Sequence, residues 1–324
     1  MLKNNLISLL EANKGNFISG QELADKLYVT RSAIWKVIKL LRMEGYNIEA
    51  VTNKGYRLAE SNDIISVQSI TPFLKGTAKQ FRIDIRKSLS STNTELKKLA
   101  ASGEKAGLVL IANEQTAGKG RMGRSFYSPA DSGIYMSVLL RPNLTSDKAV
   151  LLTSLVAVSV VKAIEQVSGI TVGIKWVNDL FLDDKKIVGI LTEGGIDMEN
   201  GMLEYAVVGI GVNVFTENFP MEISNIATSV IDKANEKKFS RSLLAAEILN
   251  QLALDLPKLE SMSHIPEYKK RSILIGKEIY VIKNSLQIPA VALDIDDNAS
   301  LIVKYEDGKI ETLSSNDVSI RRKI

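Results

Sequence analysis

Residues 118–133 read Gly118-Lys119-Gly120-Arg121-Met122-Gly123-Arg124-Ser125-Phe126-Tyr127-Ser128-Pro129-Ala130-Asp131-Ser132-Gly133. Gly118, Gly120 and Gly123 stand at the spacing of the dinucleotide-binding fingerprint, which works only where a strand enters and a helix leaves. The apolar run Leu108–Ala112 supplies a strand. The stretch from Ser125 to Gly133 carries Pro129 and no helical period, so the doubly wound nucleotide fold is excluded. A second physical reading survives. Glycines let backbone N–H groups approach an anion, and Lys119, Arg121 and Arg124 lie within a few residues of one another. Such a loop is expected to be mobile when empty and ordered by a polyanion, although taken alone it also suits a solvated surface loop.

Outward from this loop, strand-like runs at 108–112, 134–140, 172–177, 187–193 and 205–214 mix with helical patterns at 93–101, 147–167 and 240–259. Asp183-Asp184-Lys185 reads as a hairpin turn, so part of the sheet is antiparallel and the class is α+β. From Ile273 onward short β runs alternate with turns such as Asp296-Asp297-Asn298 and Glu306-Asp307-Gly308, the spacing of a small β-barrel. The apolar stretch 149–161, bounded by Lys148 and Lys162, is shorter than the roughly 20 residues a bilayer requires. Asn4, Asn5 and Glu11 interrupt the only early apolar run, so no secretory signal is read and a cytoplasmic protein without a membrane partner is expected.

The first sixty residues carry three helical patterns and a hairpin. Leu6, Leu9 and Leu10 mark the first helix, Ser19 caps a second and Thr30 a third, and Gly45 ends it. Ala33, Ile34, Val37, Ile38 and Leu41 share one face of that third helix. Its other face carries Arg31, Ser32, Trp35, Lys36, Lys39 and Arg42, and Lys54 and Arg57 lie in or beside the hairpin turn. Helix, turn, helix, hairpin is the winged helix-turn-helix order, whose recognition helix needs such a face to meet bases and phosphates. The block holds nine Lys and Arg against six Asp and Glu. Charge alone also suits a helical domain for protein contacts; the ordered pattern favours DNA, with Arg31, Ser32, Trp35, Lys36, Lys39 and Lys54 as its contacts.

Composition limits the chemistry. The 324 residues include no cysteine and one histidine, His264, with a net charge of +4. Disulfides, thiolate metal sites, cysteine nucleophiles and His-rich metal centres are excluded. Catalysis here must use Lys, Arg, carboxylates, amides and backbone.

At this density of motifs the chain resembles the biotin–protein ligases, nearest to the bifunctional biotin operon repressors. Ser91-Thr92-Asn93, Glu114-Gln115-Thr116, the loop 118–124, Lys175-Trp176-Val177-Asn178-Asp179, the run from Lys186 to Glu193, Gly209-Ile210-Gly211-Val212-Asn213 and Ala227-Thr228-Ser229 occur in the family's order. The resemblance implies a winged helix-turn-helix at 1–62, a mixed-sheet catalytic domain similar to class II synthetases at 63–271, and an SH3-like barrel at 272–324. It implies that Ser91, Thr92, Asn93 and Gln115 approach the biotin ring and its ureido group. Lys119, Gly120 and Arg121 line the loop over biotin and phosphates, and Phe126 packs near the biotin side chain. Lys186 meets the carboxylate and the activated phosphorus, with Arg121 as the second catalytic cation. Arg121, Arg124, Asn213 and Arg321 contact the nucleotide. Val177 replaces the family's proline and Lys119 a common arginine.

The implied substrates are biotin and ATP with Mg²⁺, and no protein metal ligands are assigned. The implied partners are a biotin carboxyl carrier protein, operator DNA and, with adenylate bound, a second copy of the chain. Asp179 is the candidate base for the acceptor lysine, bracing the hairpin being its alternative. Trp176 is read as a core aromatic and His264 as non-catalytic. A lipoate–protein ligase shares the expected catalytic fold, but the loop with Lys119 and Arg121 favours biotin. A transcription factor that only senses biotin is disfavoured by Lys186, Arg121 and Asn213.

Overall fold

The computed structural model describes residues 1–199, 201–231, 239–283, 286–314 and 319–322, apart from the side chains of Asp147, Ser319, Arg321 and Arg322. The chain forms two compact units, Met1–Leu74 with Ile231–Ala246, and Lys75–Val230 with Glu247–Ile324.

The first unit holds helices α1 (Leu2–Ala12), α2 (Gly20–Leu27) and α3 (Arg31–Met43), strands β1 (Ile48–Val51) and β2 (Gly55–Leu58), and the short helix α4 (Val67–Ile70). Ser19 accepts from Glu22 N–H at 3.0 Å and Thr30 from Ala33 N–H at 3.3 Å, which starts α2 and α3 where the sequence places their caps. Tyr28 ends α2 in the left-handed region at φ 54°, and Gly45 takes φ 96° just past α3. Leu6, Leu10, Leu23, Ile34, Ile38, Leu41, Ile48 and Leu58 form one core. β1 and β2 pair antiparallel from Ile48↔Leu58 to Val51↔Gly55. Gly55 is obligatory there: its φ is +103°, and a Cβ would lie 2.1 Å from the Ile18 carbonyl oxygen, the close approach behind the Ile18↔Tyr56 bridge.

The second unit is built on a seven-stranded sheet. Its strands are β3 (Arg82–Arg86), β4 (Leu108–Ala112), β5 (Gly133–Leu140), β6 (Gly173–Lys175), β7 (Asp179–Leu182), β8 (Lys185–Ile196) and β9 (Leu203–Asn213). They lie in the order β3-β4-β5-β9-β8-β7-β6. Only β3 and β4 are parallel. Helix α5 (Thr92–Ala101) packs Leu96 and Ala100 on Leu108, Leu110, Leu139 and Val207. Alternation along β8 turns Leu191 and Glu193 to α5 and Thr192 to helix α6 (Ala149–Ser168), where it meets Thr153 at 2.8 Å.

α6 follows the helical pattern at 147–167 and so runs past the apolar stretch 149–161. Lys162 lies within it, its ammonium 3.2 Å from Asp255. It is the described helix long and apolar enough to cross a membrane, yet thirteen of its twenty residues are buried inside the fold, as in a core helix. Helices α7 (Arg241–Asp255) and α8 (Ile265–Lys270) come next along the chain. Strands β10 (Glu278–Lys283), β11 (Leu286–Ile295), β12 (Leu301–Tyr305), β13 (Ile310–Leu313) and β14 (Ser319–Arg322) make the small C-terminal β domain, antiparallel in the order β13-β12-β11-β10-β14. Both expected turns are present: Asp296 Oδ1 accepts from the Asn298 and Ser300 amides, and Gly308 takes φ 84°.

Candidate functional site

A cavity enclosing about 310 Å³ of space, open to solvent on one side, lies between the start of α5 and the α5-facing side of β5, β8 and β9. Ser91, Thr92, Asn93, Gln115, Lys119 and Phe126 all line it. Ser91 caps α5, and the helix start presents Thr92 and Asn93 to the cavity. Thr92 N–H donates to Gln115 Oε1 at 2.8 Å, and Gln115 Nε2 donates to Ser128 Oγ at 3.0 Å. Gly189, Gly209 and Gly211 leave gaps in the strands beneath. A Cβ at Gly209 would lie 2.2 Å from Asn93 Oδ1, and one at Gly211 2.6 Å from the Phe126 ring. These glycines clear the room that the cavity and Phe126 occupy.

The loop 118–126 doubles back on itself. Phe126 N–H reaches Gly118 O at 2.9 Å, Gly120 N–H reaches Arg124 O at 2.7 Å, and Lys119 bridges Ser125. Lys119, Met122 and Arg124 are exposed along it, whereas Arg121 turns inward and donates to Asn178 Oδ1 at 3.3 Å. Asn178 is held in turn by its own donation to Ile190 O at 2.7 Å. Burial lowers the proton affinity of Arg121 from its ordinary value, against the pull of the Asp179 carboxylate, and the Arg124 charge adds to the lowering. Lys186 Nζ pairs with Asp179 Oδ1 at 2.7 Å and stands 5.9 Å over the Phe126 ring. Lys186 and Arg121 therefore share Asp179 as their anionic neighbour at the edge of the cavity.

Asn213, at the end of β9, is 4% exposed; its Nδ2 donates to Thr228 O at 3.3 Å, and its Oδ1 has no hydrogen-bond partner. A buried acceptor left open is costly unless a ligand completes it. The backbone of Arg321 lies in β14 opposite Tyr280; its side chain is outside the described residues. Trp176 is buried and donates from Nε1 to Ala299 O at 2.8 Å, a core aromatic. The Trp176–Val177 peptide is cis, and Tyr268, fully buried, donates to Val177 O at 2.8 Å. His264 is 7% exposed against α6, with Nε2 2.9 Å from Ser154 Oγ; burial pushes its pKa down to about 4.

In the first unit, Arg31, Ser32, Trp35, Lys36 and Lys39 are exposed on α3 and Lys54 at the hairpin tip. Lys39 stands 5.7 Å over Trp35 and Lys54 5.9 Å over Phe17. Two other basic residues of that block are engaged: Arg42 donates to Ile48 O at 2.7 Å and Arg57 pairs with Glu49 at 2.6 Å.

Sequence reasoning passed over Ser128, Tyr135 and Ser137, and it assigned no role to Glu193, although all stand in or behind the cavity wall. One signal was available. Ser137 is the one small polar side chain in the run Ile134-Tyr135-Met136-Ser137-Val138-Leu139-Leu140, and a buried polar group needs partners.

Comparison with known proteins adds three matched regions. Residues 3–57 match an HTH domain, 85–213 the Biotin/lipoate A/B protein ligase family, and 274–321 the Biotin protein ligase C terminal domain. The chain is 36% identical to the bifunctional ligase/repressor BirA of Bacillus subtilis, covering 98% of both chains. It is 30% identical to the bifunctional ligase/repressor BirA of Escherichia coli, covering 98% of this chain and 96% of that one. Its fold is similar to the structure of the biotin protein ligase from Aquifex aeolicus in complex with biotin and ATP, at TM-score 0.62 and 27% identity, over 75% of this chain and 99% of that one.

Proposed function

This chain belongs to the family of bifunctional biotin ligase/repressors, and from that premise we propose that it joins biotin to ATP as biotinyl-5′-AMP and passes the biotin to a lysine of a biotin carboxyl carrier protein. It is a biotin–protein ligase with a helix-turn-helix repressor domain. One observation carries the chemical reading. An amide- and hydroxyl-lined cavity with Lys119 in its wall lies beside two further cations, Lys186 over the lining ring of Phe126 and the inward-turned Arg121, that share one carboxylate, Asp179.

The physical reason is charge. A biotin carboxylate oxygen must attack the α-phosphorus of ATP, and the two groups repel. Lys186 and Arg121 hold the anions together and stabilise the charge that gathers on phosphorus as the bond to pyrophosphate breaks. The incoming anions take over the cations that Asp179 and Asn178 hold in their absence. The resulting mixed anhydride is then attacked at its carbonyl carbon by the acceptor amine, and AMP leaves. The loop 118–126 covers the anhydride against water, with Lys119 and Gly120 over biotin and Arg124 toward the phosphates. Ser91, Thr92, Asn93 and Gln115 hold the ring. The open Oδ1 of Asn213 suits an amino group such as that of adenine, and Arg321 is assigned to the nucleotide on the family resemblance alone.

Among the described residues no three His, Cys, Asp or Glu side chains gather to hold a metal. Asp179 and Asn178 would be the oxygen donors beside a Mg²⁺ ion brought with ATP, which would neutralise charge on the departing pyrophosphate.

The exposed residues of α3 and Lys54 would read an operator, and the adenylate-bound protein would do so as a dimer on paired half-sites. Residues 1–62, 63–271 and 272–324 are the corresponding reader, catalytic and small β domains. The similarity to bifunctional ligase/repressors supports a place in the cytoplasm. Incubation with α-labelled ATP, biotin and a carrier domain should give biotin-dependent labelled adenylate, then biotinylated carrier. Absence of the adenylate would overturn the proposal.

A further inference from the structure

One end of the cavity is closed by a chain of hydrogen bonds that starts at a charge and has a single consistent direction. Glu193 on β8 accepts from Lys97 Nζ at 2.5 Å and from Asn93 Nδ2 at 2.9 Å. The same Nδ2 reaches the Leu191 carbonyl at 3.1 Å. A carboxylate and a carbonyl only accept, so the Asn93 amide cannot be reversed and its Oδ1 must face Ser137 Oγ at 2.6 Å. Partial burial acts to raise the Glu193 carboxyl, but the bonds from Lys97 and Asn93 outweigh it and hold the group below the ordinary carboxylate range.

Ser137 is 0% exposed and has one proton, which goes to Asn93 Oδ1. Its other neighbour, Thr92 Oγ1 at 2.7 Å, must then donate to Ser137. With that proton spent, the 3.1 Å approach of Thr92 Oγ1 to Gln115 Oε1 contains no hydrogen. Gln115 Oε1 takes the Thr92 backbone N–H, and Gln115 Nε2 donates to Ser128 Oγ, whose proton goes to Phe126 O at 3.1 Å. The hydroxyl protons of Thr92, Ser137 and Ser128 are all used inside the wall. Thr92 Oγ1 and Gln115 Oε1 each keep a lone pair for the cavity.

We propose that Ser137 and Glu193, neither of which lines the cavity, are positioning residues that set its specificity. They fix Thr92 as an acceptor beside Gln115 Oε1, which the Thr92 N–H already holds in place, so the cavity selects a ligand head with N–H donors and rejects one that places oxygen there. The inference rests on the biotin reading and deepens it, because the ureido ring offers two N–H groups.

The test is calorimetric binding of biotin and of its cyclic carbamate analogue, in which one ureido N–H is replaced by a ring oxygen. The wild-type chain should prefer biotin by at least a hundredfold, since a site built to pair an N–H leaves two lone pairs opposed when oxygen replaces it. In Ser137→Ala the Thr92 hydroxyl is released and can donate, so the preference should shrink below tenfold while the melting temperature shows a folded protein. Glu193→Gln should reduce the preference about threefold, because the Leu191 carbonyl still holds the amide. Equal weakening of both ligands with an unchanged ratio in both variants would mean that the two residues merely support the fold, and the inference fails. A wild-type chain that binds both ligands alike also sinks it while leaving the ligase reading intact. A wild-type chain that does not bind biotin at all overturns that reading itself.

Discussion

The outer face of α3 and the rim of the cavity use the same residue types in opposite settings. On α3, Arg31, Lys36 and Lys39 stand in solvent, where a cation costs little to keep and acts through long-range attraction to an anionic partner. At the cavity, Lys186 is partly sheltered against Asp179 and Phe126, and Arg121 is turned in against Asn178. A sheltered cation costs desolvation and must be paired, so each one is committed to a place and a task. Surface charges are therefore individually replaceable, and interior ionisable groups are not.

That contrast predicts a descending series of effects. Lys186→Ala should lower the single-turnover rate of adenylate formation about a thousandfold, roughly 4 kcal/mol, with little change in melting temperature. A loss below tenfold would move the reacting phosphate away from Lys186 and erase the distinction between rim and surface.

Next comes the buried imidazole. An unfolded histidine takes its proton near 6.5, whereas His264 in the fold takes it at about 4. Between those values the unfolded chain binds the extra proton, so stability falls as pH drops from 6.5 toward 4 and levels below that. The window corresponds to about 3 kcal/mol. Urea unfolding of the wild-type chain and of His264→Gln across that range should show the larger loss in the former, the variant keeping only the smaller acid-end loss from carboxylates such as Glu193; parallel curves would remove His264 as its source.

Smallest is the surface. Lys36→Ala should weaken operator binding about threefold to tenfold at ordinary ionic strength and reduce the salt slope by about one. A hundredfold loss with an unchanged slope would show Lys36 acting on bases like an interior residue, and the comparison would break.

Much of this molecule could be read along the chain. Ser19, Thr30 and Gly45 marked helix ends because caps and left-handed stops are local, made within a few residues. The lack of a helical pattern through residues 125–133 excluded the doubly wound fold, and β5 begins at Gly133 instead. Short or polar strands were harder. β3 and β7 were missed because both are short: Arg82-Ile83-Asp84-Ile85-Arg86 alternates but holds only two apolar side chains, Asp179–Leu182 is four residues, and both are paired to neighbours distant in the chain or across a turn. The helical pattern at 147–167 matches α6, Ala149–Ser168, although nothing adjacent in sequence announces Asp255 as the partner of Lys162.

The sequence by itself determined the element types, the basic face of α3 and the motifs that point to biotin and ATP. These depend on spacing, capping and side-chain chemistry that act over a turn of helix or a pair of strands. Only the tertiary structure decided which way Arg121 turns, that Asp179 stands beside both rim cations, and that Glu193 and Ser137 dictate the proton of Thr92. Residues from 93 to 193 meet there across a hundred positions of chain, and the direction of a hydrogen bond depends on which acceptor-only groups the fold packs against it.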